Sequence, residues 1–139
     1  MEKVIYSESV LQTENAGYEF AGMLKAGDFV ALNGELGAGK TAFTRGIVAK
    51  LVPECAASVH SPTFTIVNEY EGEGVNVYHF DFYRLKNEDD LYACGFDDYF
   101  SRGGVVVAEW ADMFDAGWNG KTYTVSIKKD GEKRIITIC

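Results

Sequence analysis

Gly34-Glu35-Leu36-Gly37-Ala38-Gly39-Lys40-Thr41 carries the pattern G-x-x-x-x-G-K-S/T, and its reading decides the fold. Glycines at Gly34, Gly37 and Gly39 let the backbone take positive φ and come close to a ligand, so that successive N–H groups form an anion-binding nest. Lys40 then reaches the outer phosphates of a nucleotide. Thr41 sits at the start of the following helix with its hydroxyl on Mg²⁺, where the helix N-terminus adds its own positive end.

The flanks have the order such a loop requires. Asp28-Phe29-Val30-Ala31-Leu32-Asn33 reads as a buried strand, and Ala42 to Leu51 places Phe43, Ile47, Val48 and Leu51 at helical spacing. Glu35, Leu36, Ala38 and Ala42 complete the expected nucleotide-binding loop. Without that context the stretch would read as a Gly-rich turn.

A chain of 139 residues is expected to form one domain spanning residues 1–139, with no room for a separate substrate domain. Hydrophobic residues at 47% and charged residues at 24% are ordinary for a soluble protein, no apolar run reaches membrane-spanning length, and the N-terminus lacks a signal-peptide pattern; a cytosolic location is expected. Cys55, Cys94 and Cys139 are scattered and odd in number, which argues against a zinc site or a disulfide. The net charge of −8 disfavours tight unaided binding to nucleic acid. Acidic clusters such as Glu88/Asp89/Asp90 suit a basic protein partner or plain solvation.

Along the rest of the chain, Lys3 to Ser7 predicts a first strand. A helix is expected from Thr13 as N-cap to a stop at Gly27, followed after the glycine-rich loop and its helix by a loop from Pro53 to Pro62. Phe64 to Tyr70, Val75 to about Phe80 and Gly104 to Trp110 predict strands, and Asn87 to Cys94 a short helix capped by Asn87. A second helical piece is expected over Asp97 to Phe100. Tyr123 to Lys128 and Arg134 to Ile138 alternate around Asp130-Gly131, a hairpin signal.

Mg²⁺ beside such a loop needs a carboxylate, direct or through water. Asp81 and Glu109 each close an apolar run, and in a parallel sheet ligands sit beyond the carboxyl ends of the strands. One can hold the metal while the other orients water, or either can cap the next helix; spacing does not assign them. Ser61-Pro62-Thr63-Phe64-Thr65 lies where a γ-phosphate sensor would, or forms a turn. His79 reads as a core histidine, and Trp110 as a packing residue or a base-stacking one.

Taken together and in order, these motifs resemble the TsaE (also called YjeE) family, from about Thr13 to Arg134. The residues that carry the resemblance are the loop with Arg45-Gly46 after it, Ser61-Pro62-Thr63-Phe64-Thr65, His79-Phe80-Asp81-Phe82-Tyr83-Arg84-Leu85 and Glu109-Trp110. The resemblance implies an ATPase of tRNA threonylcarbamoyladenosine biosynthesis that works with TsaB and TsaD. It implies Thr41 and Glu109 as Mg²⁺ ligands, Asp81 as the water-orienting or base residue, Thr63 in a switch, and Trp110 near the base. Arg134 stands where members often carry a basic residue near the nucleotide. Departures are Glu35 for the usual Asp, Ala42 for a common second Thr, and Ala111 for the Pro after Glu-Trp.

The expected fold is α/β: a P-loop NTPase of three layers, α/β/α, with a mainly parallel central sheet, the P-loop at the first strand-to-helix turn, and a C-terminal antiparallel hairpin. Expected catalytic residues are Asp81, Lys40 and Thr63. ATP would be bound by Gly34 to Ala42 with Thr13, Trp110 and Arg134, and Mg²⁺ by Thr41 and Glu109. Slow hydrolysis is expected, with Arg84 or a partner residue as a possible arginine finger. Rival readings are a nucleotide-gated assembly module and a small-molecule kinase. A GTPase is disfavoured because no N-K-x-D run appears; Asn119-Gly120-Lys121-Thr122 does not qualify.

Overall fold

Runs of β-branched and aromatic residues with no polar alternation belong in strands covered on both faces, and they become the centre of one sheet. In the computed structural model, residues 2–35, 37–60, 67–81, 88–93, 95, 98–99, 102–109 and 122–139 are described. Among them the elements run β1 (Lys3–Ser7), α1 (Val10–Ala21), β2 (Phe29–Gly34), α2 (Lys40–Leu51), β3 (Val67–Tyr70), β4 (Val77–Asp81), α3 (Glu88–Ala93), β5 (Val105–Glu109), β6 (Thr122–Asp130) and β7 (Lys133–Ile138). The strands form a single sheet in the order β1-β7-β6-β2-β5-β4-β3. Val105, Val106, Val107 and Ala108 are fully buried, as are Val30 and Leu32.

The centre is parallel: β2 pairs β5 and β6, and β5 pairs β4. Toward the edges pairing is antiparallel, β3 on β4, β7 on β6 and β1 on β7. The C-terminal hairpin therefore lies one strand in from its edge, with β1 outside it. Because β1 and α1 precede β2, the glycine-rich loop occupies the second strand-to-helix turn of the chain, not the first.

Three local expectations are corrected. Ser9, not Thr13, caps α1: it is extended, and its side chain accepts from the Gln12 N–H at 3.1 Å. Thr13 lies one turn inside, its hydroxyl 2.8 Å from Ser7 Oγ and donating to Ser9 O at 3.2 Å. The helix stops at Ala21, where the Gly22 N–H reaches Glu19 O and Phe20 O; Gly27, at φ 94°, instead shapes the turn into β2. The segment after α2 is not a plain loop but a 3₁₀ turn over Pro53–Ser58, opened by Pro53 at a helix-start position where its missing N–H costs nothing. Asn87, Cys94, Asp97 and Phe100 lie outside the described residues, as do residues 64–66 of the strand expected from Phe64.

Helix α1 packs directly on α2, and two glycines make the approach possible. A Cβ on Gly17 would stand 2.1 Å from Phe43 O, and one on Gly46 2.0 Å from Glu14 O. Arg45 bonds Glu14 at 2.7 Å along the same crossing. Phe20, Phe43 and Tyr123 fill the space beneath, with ring centroids 5.7 and 5.3 Å apart.

Candidate functional site

The loop between β2 and α2 takes the backbone that its glycines allow. Gly37 has φ 79° and Gly39, the residue before α2, has φ 113°, both in the left-handed region. A Cβ on Gly34 would meet Ile127 O at 2.9 Å and Ala38 Cβ at 3.3 Å, so this position is closed to larger residues as well. Lys40 opens α2 and turns back across the loop, donating to Gly34 O at 2.5 Å. Thr41 follows it, half-buried, in the first turn of the helix.

Strand register brings the two predicted carboxylates side by side. Asp81 is paired with Glu109 at the carboxyl ends of β4 and β5, so both project from the same sheet face. Glu109 is 3% exposed, with Oε1 3.4 Å from Lys40 Nζ and Oε2 2.6 Å from His79 Nε2. Burial pushes its pKa up, but the His79 hydrogen bond and the attraction of His79 and Lys40 outweigh this and hold the carboxyl below its ordinary value. An ionised carboxylate only accepts hydrogen bonds, so His79 Nε2 carries a proton and donates it.

Two cavities open on the loop. One of about 380 Å³ is lined by Asn33, Gly34, Glu35 and Lys40 with Ser126 and Lys128 of β6. The other, about 240 Å³, is lined by Gly37, Ala38, Gly39 and Ala42, by Ser9, Val10 and Thr13 of the α1 start, and by Glu132 and Arg134. Arg134 donates through Nε to Ala38 O at 3.0 Å and through Nη2 to Gly37 O at 3.4 Å. Thr13 and Arg134, remote in sequence, thus flank the same loop: a Cβ on Gly39 would lie 3.5 Å from Thr13 Cγ2.

The described loop residues, Lys40, Thr41, Ala42, Glu109, Asp81, Thr13 and Arg134 therefore converge on one end of the sheet. Leu36, Thr63, Arg84 and Trp110 lie outside the described residues. Sequence reasoning placed His79 in the core and missed its bond to Glu109, because the contact depends on β4 and β5 being neighbours. It also missed Lys129, whose Nζ would lie 3.2 Å from a Cβ on Gly37. Its signal was present: it stands in the hairpin directly opposite Arg134.

The donor chemistry suits Mg²⁺, a hard cation that takes oxygen ligands: an ionised carboxylate and a helix-start hydroxyl stand beside a phosphate-type loop. Among the described residues no three His, Cys, Asp or Glu side chains converge on a possible metal position. A P-loop cation needs no such cage, since phosphates and waters supply most of its ligands.

The family model described as threonylcarbamoyl adenosine biosynthesis protein TsaE matches residues 7–136. The chain belongs to the TsaE family. Among curated TsaE proteins it is 34% identical to that of Rickettsia typhi over 128 residues, covering 91% of this chain and 88% of the relative. To that of Bacillus subtilis it is 40% identical over 113 residues, covering 81% and 68%. Both are named tRNA threonylcarbamoyladenosine biosynthesis protein TsaE. The crystal structure of Bacillus subtilis YdiB superposes with a TM-score of 0.77 at 30% identity, covering 99% of this chain and 84% of that one. The TsaE match includes the loop, Asp81, Glu109 and Arg134; Thr13 lies within it too, which ties the α1 wall of the smaller cavity to the family region.

Proposed function

We propose that this chain is the ATP-binding, slowly hydrolysing subunit of a tRNA threonylcarbamoyladenosine biosynthesis complex, acting with TsaB and TsaD and reaching tRNA only through them. One observation carries the reading: a glycine-rich loop between β2 and α2 whose Lys40 is drawn to Glu109, with Asp81 paired beside it at the strand ends. The names of the relatives supply the pathway.

In this reading Lys40 leaves Gly34 O for the β- and γ-phosphates, and the loop N–H groups receive the remaining phosphate oxygens. Thr41 and Glu109 would hold Mg²⁺, whose charge, when bound, would offset that of the phosphate oxygens. Asp81, exposed more than Glu109 and one strand over, orients water for in-line attack; positioning supplies most of the catalysis. Thr13 and Arg134 wall the nucleotide beyond Gly39, Trp110 stacks on its base, and Thr63 senses the γ-phosphate. The reaction takes place in the cytoplasm, where the tRNA is modified. Among the described residues no helix is long and apolar enough to cross a membrane.

Phosphate release, measured for the chain alone and then with TsaB and TsaD, tests this. Weak release alone and a change with partners is the expected result, with Lys40→Ala abolishing both. A Lys40→Ala variant that hydrolyses ATP at the wild-type rate would sink the assignment of the loop. Nucleotide binding without turnover in either condition would favour the gated assembly module, and phosphate transfer to a small-molecule acceptor would favour the kinase.

A further inference from the structure

His79 is fully buried in β4, which is paired on both sides, and its polar contact among the described residues is with Glu109 alone. We propose that His79 is a positioning residue for Glu109: it holds Oε2 through Nε2–H, so that Oε1 is the oxygen presented toward Lys40 and the nucleotide-bound cation. This rests on the reading of Glu109 as a Mg²⁺ ligand.

Three observations carry it. The two oxygens of Glu109 are divided between partners, Oε2 to His79 at 2.6 Å and Oε1 to Lys40 at 3.4 Å, which removes the two-fold freedom of a carboxylate about its last torsion. The backbone that carries the imidazole is held on both sides, His79 being paired with Val107 of β5 and with Asn68 of β3, and the ring itself is fully buried. Finally, Nδ1 is buried without a hydrogen-bond partner among the described residues. A fully packed site between β3 and β5 would accept a Leu at lower desolvation cost, so the polar ring is explained by what Nε2 does. Groups that orient a metal-bound carboxylate from behind typically change metal affinity about 10–100-fold when removed.

The test uses the intact chain and the fluorescent nucleotide mant-ADP, titrated with Mg²⁺ and, separately, in EDTA. His79→Leu is expected to raise the Mg²⁺ concentration at half-effect by about 10-fold or more, leaving affinity in EDTA unchanged. His79→Gln, whose side-chain N–H can reach the same oxygen, recovers most of the loss. A His79→Leu protein with wild-type Mg²⁺ dependence overturns the inference. Glu109→Gln separates the two levels: if it raises the Mg²⁺ requirement and His79→Leu does not, the positioning role falls and the metal reading stands. If Glu109→Gln changes nothing, the metal reading falls and the positioning role with it. Should His79→Leu fail to fold, the ¹H–¹⁵N spectrum of the unsubstituted protein decides: a proton on His79 Nε2 supports the role, and a bare Nε2 overturns it.

Discussion

At the scale of single residues, Glu109 is the point where opposing effects can be ranked. Desolvation disfavours its charge, yet the donor at His79 and the positive charge nearby more than compensate, so the folded protein holds the carboxyl below the ordinary carboxylate range. A carboxylate depressed on folding contributes stability that is present above the unfolded pKa and lost as pH falls through the lower folded one. The acid limb of a stability curve below about pH 4.5 is therefore expected to be steeper in the wild type than in Glu109→Gln, measured by urea unfolding without nucleotide. Parallel limbs would mean that Glu109 gains nothing from its partners. The same ranking explains why Lys40 and Glu109 tolerate burial: each compensates the other, and removing one leaves a charge stranded.

At the scale of elements, the crossing of α1 on α2 sets the distance from Thr13 to Gly39. An alanine in an exposed helix interior would be favoured over glycine by about 1 kcal/mol. At Gly46 the new Cβ would stand 2.0 Å from Glu14 O and 2.8 Å from Tyr18 N, both backbone atoms that cannot move unless the helices separate. Overpacking dominates, and Gly46→Ala is expected to lose about 3 kcal/mol. Urea unfolding measures it, and an unchanged midpoint would contradict this packing. The Arg45 to Glu14 pair across the same crossing is partly solvated and contributes far less. The β6–β7 hairpin has a corresponding task on the other side, since Arg134 reaches the carbonyls of Gly37 and Ala38 from β7.

At the scale of the whole molecule, stability should be graded across the sheet. β2 and β5 are paired on both sides and buried, whereas β1 and β3 are the end strands of the sheet among the described residues. Amide exchange is expected to be slowest at Val30, Leu32, Val106 and Val107 and faster by orders of magnitude in β1, read by hydrogen exchange in native buffer. Equal protection throughout would show that the sheet opens only as a unit. Much of this architecture was legible beforehand. Local chemistry is written in local sequence: the loop glycines, Lys40, the capping of runs by Asp81 and Glu109, and the Asp130-Gly131 hairpin each need only neighbours along the chain. Helix starts were less legible, because Ser9 and Thr13 are both plausible caps and only the turn geometry separates them. The type of loop and the order of strands and helices along the chain therefore follow from local sequence. That β5 lies between β2 and β4, which puts Asp81, Glu109, His79 and Lys40 together, and that β7 returns Arg134 to the loop are visible in the folded chain alone. The physical reason is that strand order and register are set by packing summed over the whole sheet, so contacts between residues far apart in the chain follow from no single stretch of it.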